Sequence, residues 1–130
     1  MSDPDKPRPL PDALTQPYWD AAAKGRLLVQ RCVSCGAYQW YPRAHCVACG
    51  AGEPAWVEAA GTGRLHTFSV LHKTPNPEFA AGLPYVLAIV ELDEGVRVSA
   101  NIVGVDHDDL VCEMPVRVVF DDGLPCFTGA

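Results

Sequence analysis

The residues with the clearest chemical signature are two short cysteine motifs, each of the form C-x-x-C-G. Cys32 and Cys35 belong to the first motif, and Cys46 and Cys49 belong to the second. Four thiolates in two tight pairs make up the ligand set that tetrahedral zinc prefers, and two intervening residues allow both sulfurs of a pair to reach one ion. We therefore predict one structural zinc ion bound by all four cysteines. Iron is the alternative, because a four-cysteine motif in a sequence does not distinguish well between zinc and iron.

The same motifs argue against other roles for these thiols. A four-cysteine site leaves no open coordination position, so the metal is not expected to catalyse a reaction. Disulfides would need an oxidising compartment, and the start of the chain lacks the basic-then-apolar order of a secretory signal. No apolar run approaches the roughly 18 to 20 residues of a membrane helix. We therefore expect a cytoplasmic protein with reduced thiols and no membrane partner.

The elements that must position the cysteines follow from composition and pattern. The chain has 130 residues, of which 48% are hydrophobic and 20% charged, enough for one domain with a core. We predict a mainly β fold in three parts. These parts are a proline-rich arm and helix (1–25), a zinc ribbon (26–54) and an OB-fold barrel (55–130).

The first part holds the predicted helix. Thr15 is a suitable cap at its start, and Gly25 is a suitable stop at its end. Tyr18 and Trp19 give this short helix an aromatic face, which must pack either on its own ribbon or on another subunit. Strands at 26–31 and 38–42 would lead into the two cysteine motifs and form the ribbon.

The second half of the chain reads as short strands separated by turns. Strands are predicted at 56–60, 64–73, 84–92, 96–103 and 115–121, the last of these being the final strand. The segment 84–92 is almost wholly apolar and is expected to be buried on both faces. About five short antiparallel strands would avoid open edges by closing into a barrel. Cys112 and Cys126 have apolar neighbours and are expected to be buried.

The order of these features is similar to that of one known family. Its elements are the proline-rich arm, the helix at Tyr18-Trp19, the segment 25–32, both cysteine motifs with Tyr41-Pro42-Arg43 between them, and the segments 61–63, 68–70, 84–86 and 114–118. Over residues 8–127 the chain resembles the bacterial and archaeal zinc-ribbon/OB-fold family, long catalogued as a domain of unknown function. One departure is Glu113, where a Gly is expected before Met114.

The resemblance implies a fold and a function. The implied fold is an N-terminal helical arm, a rubredoxin-like zinc ribbon and a C-terminal OB barrel. The implied function is that of a non-catalytic subunit that binds acyl-CoA and assembles with a thiolase-superfamily catalytic partner. The implied partners are thiolases, hydroxymethylglutaryl-CoA synthases and lipid-transfer-like aldolases of steroid side-chain breakdown.

Residue type and position suggest where such a ligand would bind. Residues 1–75 contain eight Lys/Arg and six Asp/Glu, whereas residues 76–130 contain two and ten. The anionic phosphates of coenzyme A are therefore expected near the first part of the chain. We expect the phosphates near Arg26, Arg31, Arg64 or Lys73, and the apolar acyl-pantetheine arm near Phe68, Phe79 or Tyr85. Tyr18 and Trp19 are expected at the partner interface.

Two other function classes agree less well with the sequence. His66 and His72, with Glu58 or Glu78, could form an acid/base pair, but nothing else completes a catalytic set. Cys112 or Cys126 as a nucleophile lacks a basic environment. An OB barrel with a zinc ribbon could also bind single-stranded nucleic acid, although the acidic charge of the barrel would repel phosphates. We therefore expect no nucleic-acid partner and place the catalytic groups on the partner subunit.

Overall fold

A computed structural model describes residues 9–52, 54–75 and 77–130 of the chain. Within these ranges one α-helix, α1 (Gln16–Ala23), precedes eight strands. The strands are β1 (Leu28–Arg31), β2 (Tyr38–Gln39), β3 (Ala55–Glu58), β4 (Thr62–Leu71), β5 (Tyr85–Leu92), β6 (Arg97–Ile102), β7 (Pro115–Asp121) and β8 (Leu124–Gly129). Short 3₁₀ helices span Pro77–Gly82 and His107–Asp109. The predicted mainly β fold is confirmed.

Helix α1 begins and ends where the sequence predicts. Thr15 precedes it, Pro17 lies in its first turn, and Gly25 follows its last residues with φ +76°. The Thr15 hydroxyl does not cap the helix; it donates to the Asp12 carboxylate, while the Thr15 N–H donates to the same oxygen at 2.8 Å. Among the described residues, no helix has the length and apolar character that a membrane span requires.

The first sheet is a three-stranded antiparallel ribbon in the order β2-β1-β3. In it, Gln30 lies opposite Gln39 on one side and opposite Trp56 on the other. The strand predicted at 56–60 therefore spans Ala55–Glu58 and pairs with β1 over four residues. The central strand β1 leads directly into the first cysteine motif.

The second sheet is a closed barrel in the order β4-β5-β6-β8-β7, with β4 hydrogen-bonded to β7. The barrel is confirmed, but its last strand was missed. After β7 the chain turns at Asp122 and Gly123, whose φ angles are +52° and +78°, and returns as β8. The expectation of purely antiparallel pairing was also wrong, because β8 meets β6 in parallel at Ile102 and Phe127. That contact joins residues far apart in sequence, so no local sequence pattern predicts it.

Strand β5 corrects a second expectation. Its residues alternate between buried and accessible, and Leu87 and Ile89 are 48% and 36% exposed. The prediction that β5 is buried on both faces is therefore wrong. In a closed barrel one face of each strand points into the core, and a continuous apolar run does not reveal that the other face points outward.

The barrel core depends on an irregularity in β4. The register with β5 shifts between Leu65 and Thr67, so that His66 is an extra residue in the strand. The inward face passes from Leu65, which is fully buried, to Phe68, which packs against the core. Phe127 on β8 is the largest fully buried side chain of this core.

Candidate metal centre and aromatic groove

The four predicted cysteines come together at one point of the ribbon. Their sulfur atoms all lie within 4.8 Å of one another, and the Cys32–Cys49 and Cys35–Cys46 Sγ separations are both 3.7 Å. Tetrahedral zinc with Zn–S bonds of about 2.3 Å would place its sulfurs about 3.8 Å apart. A disulfide would need about 2.05 Å. The cysteines therefore fit one tetrahedral metal ion, as predicted.

The two motifs build the site with the same turn. Gly36 and Gly50 have φ angles of +77° and +75°, and their N–H groups donate to the carbonyl oxygens of Cys32 and Cys46 at 2.9 Å. A side chain is disfavoured at this φ, which explains the Gly in each motif. The first cysteine of each motif is buried, and the second is exposed.

Backbone N–H groups favour the thiolate form of the two buried cysteines, Cys32 and Cys46. The Cys35 N–H points to Cys32 Sγ at 3.4 Å and is the main cause that lowers the pKa of Cys32 to about 6. The Cys49 N–H lowers the pKa of Cys46 in the same way. At Cys49 the Ala51 N–H also favours the thiolate, but the three neighbouring sulfurs raise the pKa to about 12. A bound cation would remove that conflict, because it favours all four thiolates together.

Two buried glutamines beside the metal centre were missed in the sequence. Gln30 and Gln39 are only 3% and 7% exposed. Glutamine is usually found at the surface, so neither residue shows its burial by type alone. Their positions on two paired strands just before and after the first motif are the one available signal.

A groove lies on the barrel, and one end of it is also bordered by α1 and by the segment that follows β2. It consists of two neighbouring cavities of about 310 and 500 Å³, which share Leu87, Asn101, Asp121 and Cys126. We call this the aromatic groove. Its first cavity is also lined by Pro9, Tyr18, Trp19, Trp40, Tyr41, Ser99, Ala100, Asp122, Leu124 and Pro125, and its second by Phe79, Gly82, Pro84, Tyr85, residues 102–105 and His107.

The structure brings some of the predicted apolar site residues together in this groove. Trp19 lines the first cavity, and Phe79 and Tyr85 line the second. Tyr18 also borders the first cavity, but it is 5% exposed and belongs to the core, so little of it is available to a partner. Phe68 packs against the barrel core and is not among the groove residues.

The predicted basic residues lie elsewhere. Arg26 forms an ion pair with Glu58 at 2.9 Å, and Arg64 lies 3.5 Å from a carboxylate oxygen of Glu91. Arg31 donates to the Gly36 carbonyl oxygen beside the first cysteine motif and lies over the Tyr38 ring. Lys73 is exposed just after β4. In the described part of the chain, the groove is lined by no Arg or Lys.

The remaining candidate residues do not assemble into a second centre. His72 borders a shallow depression with Asp106, His107 and Asp108, and His66 is not part of it. Across the described ranges, the four cysteines are the one group of three or more potential metal ligands. Cys126 is buried as predicted, whereas Cys112 is exposed, so its predicted burial was wrong. Cys112 lies on the loop before β7, where its apolar neighbour Val111 also points outward.

Comparison with known proteins places these features in one family. The ChsH2 rubredoxin-like zinc ribbon domain matches residues 19–55, and the ChsH2 C-terminal OB-fold domain matches residues 56–121. The chain is 40% identical over 111 residues to a probable enoyl-CoA hydratase alpha subunit of Thermomonospora curvata. This match covers 85% of the chain but 34% of the relative, so the chain spans about a third of that protein.

Two further matches each cover most of this chain and most of the related chain. A DUF35 domain-containing scaffold protein of Methanothermobacter thermautotrophicus is 40% identical over 91 residues, which cover 69% of the chain and 68% of the relative. A chain of the solved structure named Ltp2-ChsH2(DUF35) aldolase is 37% identical with a TM-score of 0.81, over 94% of this chain and 98% of that one. The protein therefore belongs to the DUF35 family of ChsH2-type proteins, which join a rubredoxin-like zinc ribbon to an OB-fold domain.

Proposed function

We propose that this chain is a non-catalytic accessory subunit that binds acyl-CoA and assembles with a thiolase-superfamily catalytic partner. The observation that carries the proposal is the similarity along nearly the full length of both chains to the ChsH2(DUF35) component named in the Ltp2-ChsH2(DUF35) aldolase. That name joins two components in one aldolase. The words scaffold and alpha subunit in the names of other relatives support a role within an assembly.

The aromatic groove is the best candidate for the acyl-CoA site. Small-molecule sites are concave and mostly apolar, with a few polar groups, and have volumes of about 300 to 1,000 Å³. The groove has a volume of this size, with Trp19, Phe79 and Tyr85 on its walls and Leu87 at the junction of its two cavities. In this proposal the acyl-pantetheine arm lies along Leu87.

Electrostatics orient the ligand in the groove. Asp121 lines both cavities and Asp122 lines the first, and their negative charge would repel the phosphates of coenzyme A. The uncharged arm is therefore placed inside the groove, and the nucleotide end is placed outside it, toward basic groups of the chain or of the partner. The catalytic Cys, His or Tyr residues are supplied by the partner.

Substitution at the groove junction tests the acyl-CoA site. We expect Leu87→Glu to weaken the binding of octanoyl-CoA at least 10-fold, measured by tryptophan fluorescence or calorimetry, because it places a charge in the apolar path. Val111→Glu is the matched control, since Val111 is also exposed but does not line the groove. Equal affinities of the wild-type chain and the Leu87→Glu variant would show that the groove is not the binding site.

The nucleic-acid alternative has its own test. Asp121 and Asp122 in the groove should prevent tight binding of a polyanion. In a filter-binding titration with single-stranded oligodeoxythymidine, we expect no saturation at micromolar protein. Salt-sensitive binding below one micromolar, weakened by Trp19→Ala, would favour the nucleic-acid function instead.

A further inference from the structure

We infer that Gln30 and Gln39 are positioning residues that place the second cysteine motif for metal binding. The two motifs are supported differently. The first connects the paired strands β1 and β2, so both of its ends are fixed by the ribbon. The second lies between β2 and β3, in a segment whose described residues, 40–52 and 54, form no helix or strand. Its position therefore depends on contacts made by side chains.

The two glutamines supply those contacts from adjacent strands. They lie directly opposite each other in the β1–β2 register, and Gln39 Nε2 donates to Gln30 Oε1 at 2.8 Å. Gln30 holds the backbone of Arg43 at both ends: its Oε1 accepts from the Arg43 N–H at 2.8 Å, and its Nε2 donates to the Arg43 carbonyl oxygen at 3.0 Å.

Gln39 holds the backbone on the two sides of Cys46. Its Nε2 donates to the His45 carbonyl oxygen at 3.1 Å, and its Oε1 accepts from the Val47 N–H at 3.0 Å. Cys46 lies between these two anchored residues, and its sulfur faces Cys35 Sγ across 3.7 Å. The glutamine pair therefore links the strand that carries the first motif to the backbone that carries the second.

Burial gives these bonds their strength. Both glutamines are shielded from water, so their amide groups have no ready replacement for the partners that they bond. A fully bonded buried network also favours a single arrangement of the groups it joins. Loss of a partner that orients a metal ligand typically lowers metal affinity by about 10- to 100-fold.

Metal transfer from the zinc-loaded full-length chain tests the inference. We expect Gln30→Leu and Gln39→Leu to accelerate zinc transfer to a chromophoric chelator by about 10- to 100-fold. In pulse alkylation of the two leucine variants, followed by mass spectrometry, Cys46 and Cys49 should react before Cys32 and Cys35. Gln16→Leu is the control, because Gln16 is exposed and its side-chain amide donates to Asp20 on the same helix, far from either motif in sequence, and it should behave as wild type. Wild-type transfer rates in both leucine variants, or equal reactivity of the two cysteine pairs, would overturn the inference.

Variants of the same size as glutamine distinguish an effect of the lost hydrogen bonds from an effect of altered packing. They also test the inference if a leucine variant does not fold. The Gln39 amide nitrogen donates two bonds and the Gln30 nitrogen donates one. A carboxylate at either position keeps the size of the side chain but loses those donors. We therefore expect Gln39→Glu to release zinc faster than Gln30→Glu. Equal release rates, or the reverse order, would contradict the assigned roles.

Discussion

The backbone N–H of Glu113 donates to the carbonyl oxygen of Leu65 at 2.6 Å, and so joins the loop before β7 to the irregular part of β4. Glu113 makes this contact with φ +73°, the left-handed conformation that glycine adopts most readily. The family resemblance leads one to expect a glycine at this position. The chain thus keeps the turn and places a strained residue in it.

Replacing Glu113 with glycine should stabilise the protein. The left-handed conformation costs an L-residue about 1 to 2 kcal/mol, and the extra flexibility of glycine offsets about 0.5 to 1 kcal/mol of that gain. The ion pair of Glu113 with Arg64 is long, at 3.6 Å, and exposed, so its loss costs little. We expect Glu113→Gly to raise the unfolding free energy in urea by about 0.5 to 1 kcal/mol, and Glu113→Ala not to raise it. A higher unfolding free energy in the Glu113→Ala variant would contradict the proposed backbone strain at this position.

Gly63 is expected to be indispensable to the barrel. A methyl group on its Cα would collide with the Glu91 carbonyl oxygen and lie 2.9 Å from Leu92 Cα on the neighbouring strand. Overpacking of this kind typically costs about 1 to 3 kcal/mol. We expect Gly63→Ala to lower the unfolding free energy by at least about 1 kcal/mol. Gly82→Ala, where the methyl group meets nothing within 4 Å, should change it by less than about 0.5 kcal/mol.

Removing one metal ligand should unfold the ribbon. Cys35 lies in the sulfur cluster, and an ion held by four thiolates supplies much of the folding free energy of so small a unit. We expect Cys35→Ser to lose bound zinc, by elemental analysis, together with ribbon structure and partner assembly. Cys112→Ser removes an exposed cysteine outside the cluster and should keep one zinc per chain. A folded, assembled, metal-free Cys35→Ser variant would show that the ion is dispensable.

Burial of Tyr18 should make stability depend on alkaline pH. Burial raises the pKa of Tyr18 from 10.0 to about 12, so the folded chain holds this proton more tightly than the unfolded chain. The resulting stabilisation is complete below pH 10 and is lost as the pH rises to 12. Between these values the unfolding free energy of the wild type should fall by on the order of 2 kcal/mol more than that of Tyr18→Phe. Parallel curves would contradict the burial of the hydroxyl.

Local features of the fold were predictable because their geometry is set by neighbouring residues. The spacing of the cysteine motifs determines their turns, and Thr15 and Gly25 mark the ends of α1 without reference to the rest of the chain. The series of short strands predicted a barrel, since such strands leave edges that must be closed. The expectation for Cys112 failed because neighbour type alone decides neither the path of a loop nor its exposure.

Features that join distant segments were not predictable in the same way. The parallel contact of Ile102 with Phe127 closes the barrel through residues with no local relationship. Trp19 of α1 and Leu87 of β5 line the same cavity of the aromatic groove. Residue type alone predicted an accessible Trp19 but not which barrel residues share its cavity. The basic residues were grouped by charge, but the fold places them outside the groove, where Arg26 pairs with Glu58.

The most direct test of the proposed function is a reconstitution with a thiolase-superfamily catalytic subunit from the same organism. The two chains are purified separately and together, and complex formation and acyl-CoA condensation or cleavage are measured side by side. We predict a stable complex by light scattering, activity that requires both chains, and loss of activity with Leu87→Glu but not with Val111→Glu. Conversion of acyl-CoA by this chain alone, or full activity of the partner without it, would contradict the proposal.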